Sequence, residues 1–210
     1  MFKSLICVAI LAAATASAQE WDVGVTGGLG MANNLTVKNG STSADAGFKN
    51  GAVFGVYGGQ DMYRYWSGEA NYLYRRSDFK IEGNGKSATL DGHTHLITGD
   101  ILAHFRPRGS RIRPFVSFGG GVKLMVGTGN ENPSQPLGTL AALTATTETL
   151  PVGEIGAGVK IQLSKMLRLR VQVRDFISGK PQDVIATAPG STLSGFSNDI
   201  LGTVSLGLTW

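Results

Sequence analysis

The chain has 210 residues, 30 of them Gly, with 16% charged side chains and a formal net charge of +4. One domain with ample chain for a core fits that length, and so modest a charge does not argue for nucleic acid, which usually needs a clustered basic face. Beyond the leader no apolar run reaches the roughly 18 residues of a transmembrane helix, and much Gly with little charge fits a β protein.

Met1-Phe2-Lys3 is a basic start, Leu5 to Ala14 is an apolar run, and Ala16-Ser17-Ala18 fits a small-residue cleavage site. Residues 1–18 are therefore read as a secretory signal peptide and 19–210 as one exported domain. The single cysteine, Cys7, lies in the leader, so the mature chain is expected to hold no disulfide.

Period-two alternation then repeats along the chain. In Trp21 to Met31, Trp21, Val23, Val25, Leu29 and Met31 share a face opposite Asp22, Gly24 and Thr26. Asn33 to Asn50 is rich in Asn, Ser, Thr and Gly and reads as a long loop. A second strand covers Gly51 to Gly59, Gln60 to Arg64 is a short turn, and a third strand covers Tyr65 to Arg76. Its Trp66, Tyr72 and Tyr74 oppose Glu69, Asn71 and Arg75, an inside-out pattern with charge within and aromatics outside. Ser77 to Gly92 is the next long loop, and His93 to Arg106 the fourth strand.

After the turn at Pro107 to Ser110, a fifth strand runs from Ile112 to Val126. Gly127 to Thr149 is a third long loop, in which the Ala- and Thr-rich run Leu137 to Thr149 is read as a short helix. Strand six is Leu150 to Leu163, and Ser164 to Met166 is a tight turn. In strand seven Leu167, Leu169, Val171 and Val173 alternate with Arg168, Arg170, Gln172 and Arg174. Ile177 to Asn198 is the fourth long loop, and Asp199 to Trp210 the eighth strand.

Eight strands with alternating long and short connections predict an all-β, eight-stranded antiparallel up-and-down transmembrane β-barrel. Short turns belong to the periplasm and long loops to the outside. Trp21, Tyr63, Tyr65, Trp66, Phe105 and Trp210 then gather at the periplasmic end as an interfacial girdle, with Tyr72, Tyr74 and Phe176 near the outer end.

The leader, the eight strands, Arg113-Pro114-Phe115-Val116, Gly119-Gly120-Gly121, Leu169 to Asp175 and the terminal Trp210 resemble the small OmpA- and OmpX-like outer-membrane β-barrels. The resemblance implies residence in the bacterial outer membrane, with lipids and lipopolysaccharide as neighbours. It also implies that the last strand, with Trp210, is the signal read by the barrel-assembly machinery. The peptidoglycan-binding domain of the larger OmpA proteins is not expected in this chain.

On the inner face Glu69, Asp100 and Glu154 meet Lys123, Lys160, Arg168, Arg170 and Arg174. Eight strands enclose only enough room for side chains, so these charges are expected to form a closed polar network. A narrow channel is the alternative. His104 also faces the lumen. His93 and His95 at the outer end of strand four, with Ser77 and Asp78 at the end of strand three, allow a second alternative, a lipid A-modifying enzyme. No metal or cofactor is expected, because His93 and His95 lack further ligands. Gly83-Asn84-Gly85-Lys86-Ser87 ends like a phosphate-binding loop but lacks that motif's first Gly. Arg106, Arg108, Arg111 and Arg113 cluster at the second short turn, where a solvated turn is favoured over anionic headgroups. The function that fits is a structural or surface-binding barrel whose polar loops meet an outside ligand, with Phe48, Phe79, Leu137 and Phe196 as the few apolar anchors.

Overall fold

The computed structural model describes residues 20–132 and 134–210; the expected leader, with Cys7, lies outside them. In chain order the strands are β1 (Glu20–Ala32), β2 (Leu35–Asn39), β3 (Thr42–Phe48), β4 (Gly51–Asp61), β5 (Trp66–Arg76), β6 (Phe79–Gly83), β7 (Lys86–Leu90), β8 (Gly92–His104), β9 (Ile112–Gly127), β10 (Ala141–Leu143), β11 (Thr147–Gln162), β12 (Leu167–Ser178), β13 (Ile185–Thr187), β14 (Thr192–Ser194) and β15 (Ser197–Thr209). Eight of them close a barrel in the order β1-β15-β12-β11-β9-β8-β5-β4. Every pairing is antiparallel between neighbours in the up-and-down order, so the predicted architecture stands.

Alternation sets the two surfaces. Phe54, Val56, Val122, Ile155, Val173 and Val204 face outward and are exposed, whereas Glu69, Arg75, Lys123 and Arg170 are buried. Charge inside and aliphatic side chains outside is the inverse of a water-soluble barrel and fits lipid as the outer solvent. The seam between the first and last strands is tied at its end by reciprocal bonds, Trp21 N–H to the Trp210 carbonyl at 2.9 Å and Trp210 N–H to the Trp21 carbonyl at 3.2 Å.

The long connections depart from the sequence expectation. Three of the four build a five-stranded sheet, β14-β2-β3-β6-β7, and the other two-stranded sheet is β10-β13. No helix forms over Leu137 to Thr149; β10 lies in its middle and β11 already starts at Thr147 rather than Leu150. Ala141 there serves as a small side chain facing an apolar core: it is fully buried and pairs across to Thr187. β9 and β11 each have 16 residues, more than the roughly 9–11 that cross a bilayer, so they run on beyond it and carry this cap. The supposed phosphate-loop segment is a hairpin tip between β6 and β7. Asn84 (φ 51°) and Gly85 (φ 72°) both take the left-handed conformation, the pair of angles a type I′ turn demands.

Candidate functional site

Inward parity brings charges from several strands to one axis. Near the short-turn rim Glu69 accepts from Lys160 Nζ at 2.6 Å and pairs with Arg170. Asp22 is shared by Arg168 (3.1 Å), Lys160 (3.3 Å) and the Tyr57 hydroxyl, which donates at 2.9 Å. The Arg170 guanidinium lies 3.9 Å from the centre of the Tyr57 ring. Gly24 and Gly207 make room for that ring: a Cβ on Gly207 would stand 2.2 Å from the Tyr57 hydroxyl. Asp61 accepts from Arg113 at 2.6 Å and from Ser67, whose hydroxyl is 2.7 Å from His104 Nε2.

Higher in the lumen the pairing thins. Asp100 accepts from Asn71 (2.8 Å) and Thr98 (3.1 Å), with Arg174 at 3.8 Å. Glu154 accepts from the Ser117 hydroxyl at 2.9 Å, and Gln172 donates to that same hydroxyl at 3.1 Å. Above this layer Val53, Leu73, Leu96, Val152, Phe176 and Leu201, one from each of six strands, form an apolar cluster across the bore. Phe176 lies near the outer end of β12 as expected, but it shares parity with Arg174 and points inward, fully buried, rather than joining an interfacial girdle. Beyond the cluster Asp199 holds both Arg75 and Lys123, and Lys123 donates to Ser197 at 3.1 Å.

Of the eight predicted lumenal residues, Glu69, Lys160, Arg170 and Arg168 fall into the lower group, Asp100, Arg174 and Glu154 into the middle one, and Lys123 into the upper. Asp22, Asp61 and Asp199 complete these groups with Arg75, already read as inward charge, and with Arg113, which was expected in a solvated turn but is buried against Asp61 because its parity points into the bore. Their parity was the available signal, since each lies on the face that carries Gly or charge in its own strand.

The cap has a dry interior. Leu35, Val37, Phe48, Phe79, Ile81 and Leu193 from the five-stranded sheet pack with Met125, Leu140, Leu143, Val184 and Ile185. Phe48 and Phe79 meet edge to face at 5.4 Å, and Lys123 Nζ stands 5.0 Å from the Phe48 ring, joining cap to lumen. Glu148 pins the fourth connection by accepting from the N–H groups of Gln182, Asp183 and Val184 at 2.9–3.1 Å. Gln135 mimics a strand partner, donating to the Leu143 carbonyl (2.7 Å) and accepting from its N–H (2.9 Å). The loops are therefore not polar tethers with scattered anchors. Three expected anchors, Phe48, Phe79 and Leu137, are buried in one core, and Phe196 alone of the four is 70% exposed.

Ser77, Asp78, His93 and His95 do not converge as a catalytic group. The Ser77 hydroxyl is buried against Thr94 Oγ1 at 2.7 Å, and Asp78 pairs with Arg76 (3.7 Å) and Lys49 (3.9 Å). His95 Nδ1 bonds the Tyr72 hydroxyl at 2.8 Å, and its ring lies 5.0 Å from that of His93 on the outer wall. Among the described residues no three His, Cys, Asp or Glu side chains are grouped to hold a metal ion. At the opposite rim Trp21, Tyr65, Trp66, Phe105 and Trp210 are all exposed, at strand ends joined by the short turns or by the seam.

A model of the outer membrane protein beta-barrel domain matches residues 4–210. The chain belongs to that family. Outer-membrane β-barrels of known structure share its fold. OprG of Pseudomonas aeruginosa is 11% identical with a TM-score of 0.55, over 90% of this chain and 95% of OprG. The protease OmpT of Escherichia coli is 6% identical with a TM-score of 0.52, over 91% and 97%. Neisserial surface protein A is 10% identical with a TM-score of 0.50, over 90% and 96%. No curated protein sequence matches the chain. Membership of the outer-membrane barrel family makes this a protein of the bacterial outer membrane. Bacterial outer-membrane barrels place their short turns toward the periplasm and their long connections outside.

Proposed function

We propose that this outer-membrane barrel is a closed pedestal that presents its cap as a surface-binding platform. The observation that carries the reading is the cap itself. Connections rich in Ser, Thr and Asn fold into a sheet over a shared apolar core. Ordering so many residues costs roughly 1–2 kcal/mol of backbone entropy each, and a fixed surface lowers the entropy a ligand must overcome on binding. The face turned from that core carries Lys38, Ser43, Asp45, Thr89 and Thr192, all exposed. Hydroxyls interleaved with both signs of charge suit a polar, hydrogen-bonding partner such as a host surface, a phage or neighbouring lipopolysaccharide.

Two features support a barrel that does not conduct: the lower ion-pair group and the six-stranded apolar cluster both occupy the bore. Single-channel recording is expected to give no stable conductance. Against a lipid A-modifying activity stands the separation of Ser77 from His93 and His95 onto opposite faces; unchanged lipid A mass spectra with and without the protein are the expected result. The binding reading is tested with a Lys38→Glu, Thr89→Glu, Thr192→Glu variant. It should keep heat-modifiable gel mobility and lose adhesion, serum resistance or phage sensitivity, whichever the wild type confers. Retention of all three would refute the platform.

A further inference from the structure

Five cations lie at the rim of the short turns: Arg64, Arg106, Arg108, Arg111 and Lys165 are all exposed. The acids of that end are engaged. Asp22 and Asp61 are buried, and Glu20 pairs with Arg168 and accepts from the Thr209 hydroxyl at 2.6 Å. The exposed side-chain charge of the rim is therefore of one sign. Backbone bonds hold the turns side by side: Arg108 N–H donates to the Arg64 carbonyl at 2.9 Å, and Gln162 N–H to the Arg111 carbonyl at 2.8 Å.

Depth decides what such a collar meets. Tyr63, Tyr65 and Phe105 flank these arginines and are exposed, and aromatic rings of this kind sit at the headgroup level. The Arg64 guanidinium is folded back over the Tyr65 ring, 5.6 Å from its centre. It is thus held beside the girdle rather than extended into the periplasm, at the depth of lipid phosphates. We propose that the collar is a binding site for anionic phospholipid headgroups of the periplasmic leaflet, each phosphodiester bridged between adjacent turns. The site needs only the barrel's orientation and is independent of any ligand of the cap.

The test is native mass spectrometry of the folded protein titrated with equal phosphatidylglycerol and phosphatidylcholine. Wild type should retain the anionic lipid about tenfold better at low salt, and the preference should shrink at high salt. Replacing Arg64, Arg106, Arg108 and Arg111 together with Gln should abolish it, and replacing them with Lys should preserve most of it. Heat-modifiable mobility checks that each variant folds. Should the fourfold Gln variant fail to fold, the pair Arg106→Gln and Arg111→Gln should lower the preference severalfold. Equal retention of the two lipids by wild type, or an unchanged preference in a folded Gln variant, overturns the proposal. So does selective capture by peptidoglycan sacculi without lipid preference, which would mark a cell-wall contact instead.

Discussion

Glu69 and Phe79 lie on successive parts of the chain and both are buried, yet their neighbours have nothing in common. Glu69 is held by Lys160 and Arg170, among charges that fill the bore. Phe79 is held by Phe48 and the aliphatic side chains of the cap. The difference follows from what surrounds each layer. In the bilayer the apolar side chains are claimed by lipid, so the interior is left to the polar ones. Above the bilayer water returns, and the same chain buries its apolar side chains in the ordinary way. The lower core is directional and depends on partners; the upper one depends on volume.

That contrast can be broken at four places. Glu69→Ala leaves buried Arg170 without its carboxylate and Lys160 with Asp22 alone, and a broken buried pair costs about 3–5 kcal/mol. Urea unfolding in detergent should show the loss, and a cost under about 1 kcal/mol would mean that the lumen does not depend on pairing. Phe79→Ala empties a fully buried site and should cost about 3 kcal/mol, confined to the cap. Hydrogen exchange should rise in β2, β3 and β6 while the barrel strands stay protected; loss of protection throughout would show one core, not two. Val204→Arg puts a charge on the lipid face of a residue that is 52% exposed, with an expected cost of about 2–4 kcal/mol if it lies near mid-bilayer. Tolerance in refolding titrations would misplace the membrane. Lys80→Ala removes a surface pair with Glu82 at 2.6 Å. Solvent screens it, so the change should stay below about 1 kcal/mol, and a larger one would give the cap an electrostatic component it is not expected to have.

The barrel was legible because lipid outside and charge inside impose one parity over a dozen residues at a time. The run Leu167 to Arg174 declares both faces of β12 without any structure. The cap was not legible for the opposite reason. Its alternating signals are short, such as Leu35 and Val37, or Phe79 and Ile81, and they sit among Asn, Ser, Thr and Gly that also make turns. Nothing local says that hairpins from separate connections join into one sheet, as Ala46 does with Ile81. The ion-pair partners fall between these cases. Parity placed Asp22 and Arg75 inside, but which acid meets which base depends on barrel stagger, a three-dimensional quantity.

The bonds between Trp21 and Trp210 make a final point about timing. Strand pairing is local everywhere else around the barrel, but the seam joins residues as far apart as Glu20 and Thr209, 189 positions along the chain. Until β15 arrives, β1 and β12 each offer an open row of N–H and carbonyl groups, a template for any passing strand. Ring closure thus acts as a length gauge. A nascent chain stopped before β15 is a sheet with two sticky margins, fit for aggregation or proteolysis, and only the arrival of the last strand converts it into an object without an edge.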